Sequence, residues 1–196
     1  MALETAPGSF FYVLEDPVKI LYVDDDPIMR EFAVVHLSTD KAEVAVRTNG
    51  AEALEALETG EFDLVLMDLE MPHMDGFEAL ARLRSDDRTR RLPVIVVSGR
   101  EDLAAVDRAF QAGATTFLIK PINWRLLSYQ VRYIHRNHRI QSDLLRQRAE
   151  AQAETRRAQE ALVRLSVAGA ELLRLAMQGP PEIRRAAEAY MALLRN

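Results

Sequence analysis

The sequence predicts an α/β fold: a doubly wound, five-stranded parallel sheet with helices on both faces, then a long α-helical coiled coil and a short C-terminal helix. Three observations carry this. Over residues 18–120, short apolar runs alternate regularly with stretches of helical periodicity. The apolar runs are continuous rather than alternating, as strands covered on both faces must be. After Pro121 that rhythm stops, and Ala, Arg, Gln, Glu and Leu dominate.

Taken in order, VKILYV (18–23) reads as the first strand, and PIMREFAVVHLS (27–38) as a helix with Pro27 in its first turn, where the missing N–H is no loss. AEVAVRT (42–48) is the second strand, and AEALEALETG (51–60) a helix closed by the glycine Gly60. FDLVLM (62–67) is the third strand and GFEALARLRS (76–85) the third helix. PVIVV (93–97) and TTFLI (115–119) are two more strands, flanking the helix EDLAAVDRAFQAG (101–113), which again ends in glycine. Five such units in about 115 residues make a parallel sheet the expected architecture.

From Asn123 to about Met177 there is no proline, and Gly169 is the one glycine. That allows a helix of up to 55 residues, roughly 80 Å at 1.5 Å per residue. Ile140, Leu144, Ala151, Ala158, Ala161, Leu165, Ala168, Leu172 and Leu175 fall on the a and d positions of a heptad frame. Asn137, Gln147 and Glu154 interrupt the same seam, leaving a weak middle between stronger ends. A lone surface helix of this length has nothing to bury its stripe against, so a partner helix is expected. QGPP (178–181) breaks it, and EIRRAAEAYMALL (182–194) forms a last helix with Ile183, Ala187, Tyr190, Met191 and Leu194 on one face.

Composition narrows the function classes. At 196 residues and 48% hydrophobic, the chain supports one good core and something smaller. The absence of cysteine excludes disulfides and thiolate metal sites and fits a reducing, cytoplasmic location. No basic residue precedes Lys19, SFFYVL is too short for a signal core, and no 18-residue apolar run exists, so neither export nor membrane spanning is expected. The net charge of −5 hides an asymmetry: from Arg125 onward there are 13 arginines, no lysine and 7 acidic residues, whereas residues 1–120 carry 12 basic and 23 acidic ones. The arginines are spread among glutamates with little aromatic interleaving, which favours a solvated helical face over nucleic-acid binding.

In open α/β sheets, ligands bind beyond the carboxyl ends of the strands. There stand Asp24, Asp25 and Asp26 after the first strand, Asp68 after the third, Ser98 and Gly99 after the fourth, and Lys120 and Pro121 after the fifth. Carboxylates converging on one crevice repel and take up protons unless a cation intervenes. An all-oxygen set without His or Cys suits Mg2+. A lysine and a hydroxyl on the same rim supply what an incoming phosphoryl group needs. Each residue also has a plain reading: Asp68 as a turn cap, the Asp run as a solvated loop, Ser98 as a helix cap, Lys120 as a surface lysine. All four falling at one end of one sheet outweighs those readings.

ILYVDDDP, LVLMDLEMPHMDGFE, VIVVSGR and GATTFLIKPIN together resemble the receiver domain of two-component response regulators, over about residues 17–135. The spacings Asp25 to Asp68 (43), Asp68 to Ser98 (30) and Ser98 to Lys120 (22) suit that family, and the set is specific to it. The resemblance implies a flavodoxin-like strand order, 2-1-3-4-5. It implies that Asp68 is the phosphoacceptor and that Asp24, Asp25, Asp68 and the backbone carbonyl of Glu70 hold Mg2+. Ser98 would be the switch hydroxyl, Lys120 the phosphoryl-binding lysine and Phe117 the rotamer switch, with a cis peptide before Pro121. Glu70 and Arg100 occupy the positions that tune phosphoryl lifetime in such domains, and could pair. Asp26 is expected to cap the Pro27 helix. His135 and His138 lie on the long helix, and His36 and His73 are read as helix-surface and loop residues, none as a phosphorelay histidine.

The resulting layout is an N-terminal extension (1–16), a receiver (17–135) and a helical coiled-coil or output region (136–196). No helix-turn-helix, cyclase motif or ATP-binding glycine box is present in the sequence. The chain is expected to act as a response regulator, catalysing only its own phosphoryl transfer and autodephosphorylation. Its phosphodonor would be a histidine kinase or phosphotransfer protein. Its output would be homodimerisation or docking on a downstream protein, with Ile140, Leu144, Leu165, Leu172 and Leu175 as the seam. Two alternatives stay open: nucleic-acid binding by the arginine-rich tail, and a regulatory segment of a truncated effector enzyme.

Overall fold

The structure, a computed structural model, describes residues 17–99 and 103–193. Its elements run β1 (Val18–Val23), α1 (Pro27–Leu37), β2 (Ala42–Arg47), α2 (Gly50–Thr59), β3 (Leu64–Asp68), α3 (Gly76–Ser85), β4 (Val94–Ser98), α4 (Leu103–Gln111), β5 (Thr116–Ile119), α5 (Trp124–Gln178) and α6 (Pro181–Leu193). The five strands are all parallel, in the order β2-β1-β3-β4-β5, as the resemblance implies. The N-terminal extension (1–16) and Arg100 lie outside the described residues.

Continuous apolar strands are required because each face has its own core. Leu21, Val23, Val65, Met67, Val94 and Val96 pack with Ala53 and Leu57 of α2, Leu80 and Leu83 of α3, and Ala109 of α4. The alternate residues, Ile20, Tyr22, Leu64, Leu66, Ile95 and Val97, pack with Ala33 and Leu37 of α1 and Leu127 and Val131 of α5. Each fully buried Leu, Ile or Val in these layers stabilises the fold by roughly 1.5–3 kcal/mol.

Local chemistry sets the helix ends. Asp26 is the N-cap of α1, its carboxylate accepting from Ile28 N–H, and Pro27 follows in the first turn, as expected. Asn49 caps α2 by accepting from Glu52 N–H, while Glu52 reaches back to the N–H and hydroxyl of Thr48. Asp75 caps α3 through Glu78 N–H. Gly60 closes α2 as expected, its N–H bonding to the Ala56 carbonyl, and does so in extended backbone (φ −126°). Gly113, after α4, takes the left-handed conformation (φ +98°).

The chain divides into two compact units, one ending at Ile140 and one beginning at Gln141. The second holds the C-terminal part of α5 together with α6. Gly179 N–H bonds to the Ala176 carbonyl at the turn, and an open groove there is lined by Leu162, Leu165, Leu172, Ile183 and Tyr190 among others. Among the described residues, no helix is long and apolar enough to cross a membrane.

Candidate functional site

Strand register brings the site together. Val23 pairs with Met67, Asp68 with Val97, and Ser98 with Ile119, so the strand ends stop level with one another. The residues just beyond them converge. Ligand atoms of Asp24, Asp25 and Asp68 all lie within 4.8 Å of one another. Asp24 and Asp68 are buried, whereas Asp25 is exposed.

Lys120 closes the set. Its Nζ donates to Asp68 Oδ2 at 2.6 Å and to Asp24 Oδ2 at 2.9 Å, from a chain that leaves β5 at the cis peptide Lys120–Pro121. The plain reading of Lys120 as a surface lysine is thereby replaced. Asp24 is pinned further: Oδ1 accepts Asp26 N–H at 2.9 Å, and Oδ2 accepts the Tyr22 hydroxyl at 3.1 Å. Asp68 Oδ1 accepts Glu70 N–H at 3.1 Å. Arg30, one turn into α1, donates to the backbone carbonyls of Asp24 (2.7 Å) and Asp25 (2.8 Å) and braces the acidic turn. Gly76 abuts Asp68 from behind, its N–H bonding to the Leu69 carbonyl at 3.0 Å.

Electrostatics follow from burial and pairing. Desolvation raises the Asp68 carboxyl pKa above its ordinary value; Lys120 and the Glu70 N–H oppose this, and Asp24 adds to it. At Lys120 desolvation works against the charge, yet the bonds to Asp68 and Asp24 outweigh it, so its pKa lies above that of a free lysine. Burial, then the Asp24 carboxylate, push the Tyr22 phenol well up, so its hydroxyl stays protonated and donates.

The donors present fit a hard divalent cation. They are oxygen-only, carry several negative charges against one ammonium, and include two buried carboxylates that a cation would compensate. Ser98 is buried on the same rim at the end of β4. Phe117 is half-buried against the α2–α3–α4 core. The Glu70 side chain is exposed. Ile140, Leu144, Leu165, Leu172 and Leu175 are each more than half exposed, and Leu165 and Leu172 line the groove beside α6. His135 is buried, its Nε2 4.0 Å from Asp63 Oδ1. Asp63 precedes β3, so that pair lies at the opposite end of the strand from Asp68.

Tyr22 and Arg30 are the site residues that reading the sequence missed. Tyr22 sits inside an apolar strand run and reads as core, and Arg30 reads as an ordinary charged helix residue. The one available signal was spacing: side chains two apart on a strand share a face, and so do Tyr22 and Asp24.

A family model described as the response regulator receiver domain matches residues 20–132, more than half of the chain. The heme response regulator HssR of Staphylococcus aureus is 32% identical over 126 residues, which cover 64% of this chain and 55% of that protein. The chain therefore spans about half the length of the curated relatives it matches. Among solved structures, a response regulator from Chloroflexus aurantiacus is similar at 31% identity and TM-score 0.58, over 61% of this chain and 98% of its own. A CheY-like receiver domain protein from Methanospirillum hungatei is similar at 26% identity and TM-score 0.60, over 64% of this chain and 99% of its own.

Proposed function

The chain belongs to the response regulator receiver family, and from that premise we propose that it is a phosphorylation-activated regulator whose phosphoacceptor is Asp68. The observation that carries this reading is the Lys120 ammonium seated on both buried carboxylates, 2.6 Å from Asp68 and 2.9 Å from Asp24.

In the proposed reaction, a carboxylate oxygen of Asp68 attacks phosphorus in line. An O–P bond forms as the P–N bond of a phosphohistidine, on a histidine kinase or phosphotransfer protein, breaks. The departing imidazole keeps the electron pair and is protonated in its own protein. With a small phosphodonor, a P–O bond breaks instead. Asp24, Asp25, Asp68 and the Glu70 backbone carbonyl would hold Mg2+, which when bound would supply charge neutralisation on the transferring oxygens. Lys120 balances the charge of the acyl phosphate, as a fixed ammonium near developing charge does. The Ser98 hydroxyl donates a hydrogen bond to a phosphoryl oxygen, and Phe117 repacks with it. Glu70 and Arg100 set how fast water removes the phosphoryl group. No other substrate is turned over.

For output, we propose a cytoplasmic homodimer through the long helix, with phosphorylation changing its arrangement or its docking on a downstream protein. Support comes from the stripe of exposed apolar residues Ile140, Leu144, Leu165, Leu172 and Leu175 and from the unbroken run of α5 from Trp124 to Gln178. The test is acetyl phosphate with Mg2+: wild-type protein gains one acid-labile phosphoryl group and Asp68→Ala gains none. Equal labelling of both overturns the assignment. Sedimentation at tens of micromolar, with and without beryllofluoride, tests the dimer; monomers under both conditions refute it.

A further inference from the structure

We infer that Tyr22 is a positioning residue that sets the Asp24 carboxylate for cation binding and ties that carboxylate to Trp124, the first residue of α5. The inference rests on the phosphoacceptor reading of Asp68.

The geometry is specific. Tyr22 is fully buried in β1, and its hydroxyl donates to Asp24 Oδ2 at 3.1 Å. That oxygen also receives Lys120 Nζ, whose other bond is to Asp68. Any change at Asp68 that draws Lys120 toward it alters the load on Asp24 Oδ2, where Tyr22 is the other side-chain donor among the described residues. The other carboxylate oxygen accepts Asp26 N–H, so the Tyr22 bond holds the carboxylate about its last torsion together with Asp26 and Lys120.

The Tyr22 ring also meets an aromatic ring. Its ring centroid lies 6.2 Å from that of Trp124, tilted by 45°. Trp124 stacks on His36 at 5.4 Å and 15°, and meets Phe32 edge-on at 6.5 Å. Trp124 is thus wedged between β1 and α1, with Tyr22 linking it to the acid cluster. The competing account is a buried tyrosine that satisfies its hydroxyl on the nearest acceptor. The two accounts differ in one observable, because hydrogen-bonding partners of a metal's ligands typically contribute 10–100-fold to metal affinity.

Trp124 is the chain's single tryptophan, so its emission reports this contact directly. The full chain is titrated with Mg2+ and then beryllofluoride, following both calorimetry and tryptophan emission, in wild type and Tyr22→Phe. The ring is retained in the variant, so its thermal midpoint stays within a few degrees of wild type. The expected result is roughly tenfold or greater weakening of Mg2+ binding and loss of the emission change that beryllofluoride produces in wild type. Unchanged Mg2+ affinity and an unchanged emission response in Tyr22→Phe overturn the role of Tyr22 and leave Asp68 untouched. Failure of wild-type protein to bind Mg2+ or beryllofluoride by calorimetry overturns the phosphoacceptor reading, and this inference with it.

Discussion

Gly76→Ala discriminates sharply between a glycine that merely starts a helix and one held against the site. In an open helix, Gly→Ala stabilises by about 1 kcal/mol, because alanine surrenders less backbone entropy. At position 76 an added Cβ lies 2.8 Å from Leu69 Cα and 3.0 Å from the Asp68 carbonyl carbon, with the Asp68 carbonyl oxygen nearer still. Ordinary contact begins at 3.4 Å, so α3 and the loop after β3 must part by more than half an ångström. The opposing atoms are backbone and cannot rotate away. Overpacking of this kind costs about 1–3 kcal/mol, which reverses the sign of the substitution. The same displacement moves the loop that carries Glu70, so Mg2+ affinity falls together with stability. Urea unfolding followed by Trp124 emission reads the unit that contains the site, and calorimetry reads the metal. Gly169→Ala is the matched control: nothing lies within 4 Å of its added Cβ, so it stabilises α5 by about 1 kcal/mol, measured by far-ultraviolet circular dichroism. A Gly76→Ala protein with an unchanged or raised urea midpoint and wild-type Mg2+ affinity refutes the reasoning.

Three further sets of substitutions have expected outcomes. Lys120→Ala leaves Asp24 and Asp68 facing each other without their ammonium; breaking a buried pair costs about 3–5 kcal/mol, toward the low end here because the lysine is a quarter exposed, and Mg2+ raises the melting point more in the variant than in wild type. The same variant still accepts some phosphoryl group on Asp68, but its sedimentation profile no longer responds to beryllofluoride. Leu165→Asp with Leu172→Asp gives a monomer by sedimentation whose Asp68 is still labelled, since Leu→Ala losses alone run to about 2–5 kcal/mol in packed cores. Glu52, whose pKa is lowered first by its bonds to Thr48 and then by Asn49, contributes stability that is full above the ordinary glutamate value and lost as pH falls through its lower folded value; Glu52→Gln removes that part of the acid dependence in urea titrations.

The fold was legible because the strand residues must satisfy two cores at once, which leaves no polar alternation in Leu64–Met67 or Val94–Val97. The site's acids and lysine were legible because parallel strands end level, so residues after each strand necessarily meet. Asp26 was readable as a cap from the proline that follows it. What escaped depends on distances that a sequence does not carry. Tyr22 reads as core until its hydroxyl is seen 3.1 Å from Asp24. Gly76 reads as the start of a helix until the backbone behind it is placed. Gly60 reads correctly as the end of α2, but its extended backbone there does not show in the sequence. The heptad count likewise did not indicate that Leu165 and Leu172 share a groove with Ile183 and Tyr190 of α6.

The central claim, that Asp68 is the nucleophile of a metal-assisted phosphoryl transfer, is tested most directly by mapping the label. Wild-type protein is incubated with acetyl phosphate in Mg2+ and, in parallel, in EDTA, and its peptides are sequenced by tandem mass spectrometry. The account predicts phosphate on Asp68 alone in Mg2+ and little or none in EDTA. Phosphate on another residue, or equal labelling of Asp68 when the metal is chelated, contradicts it.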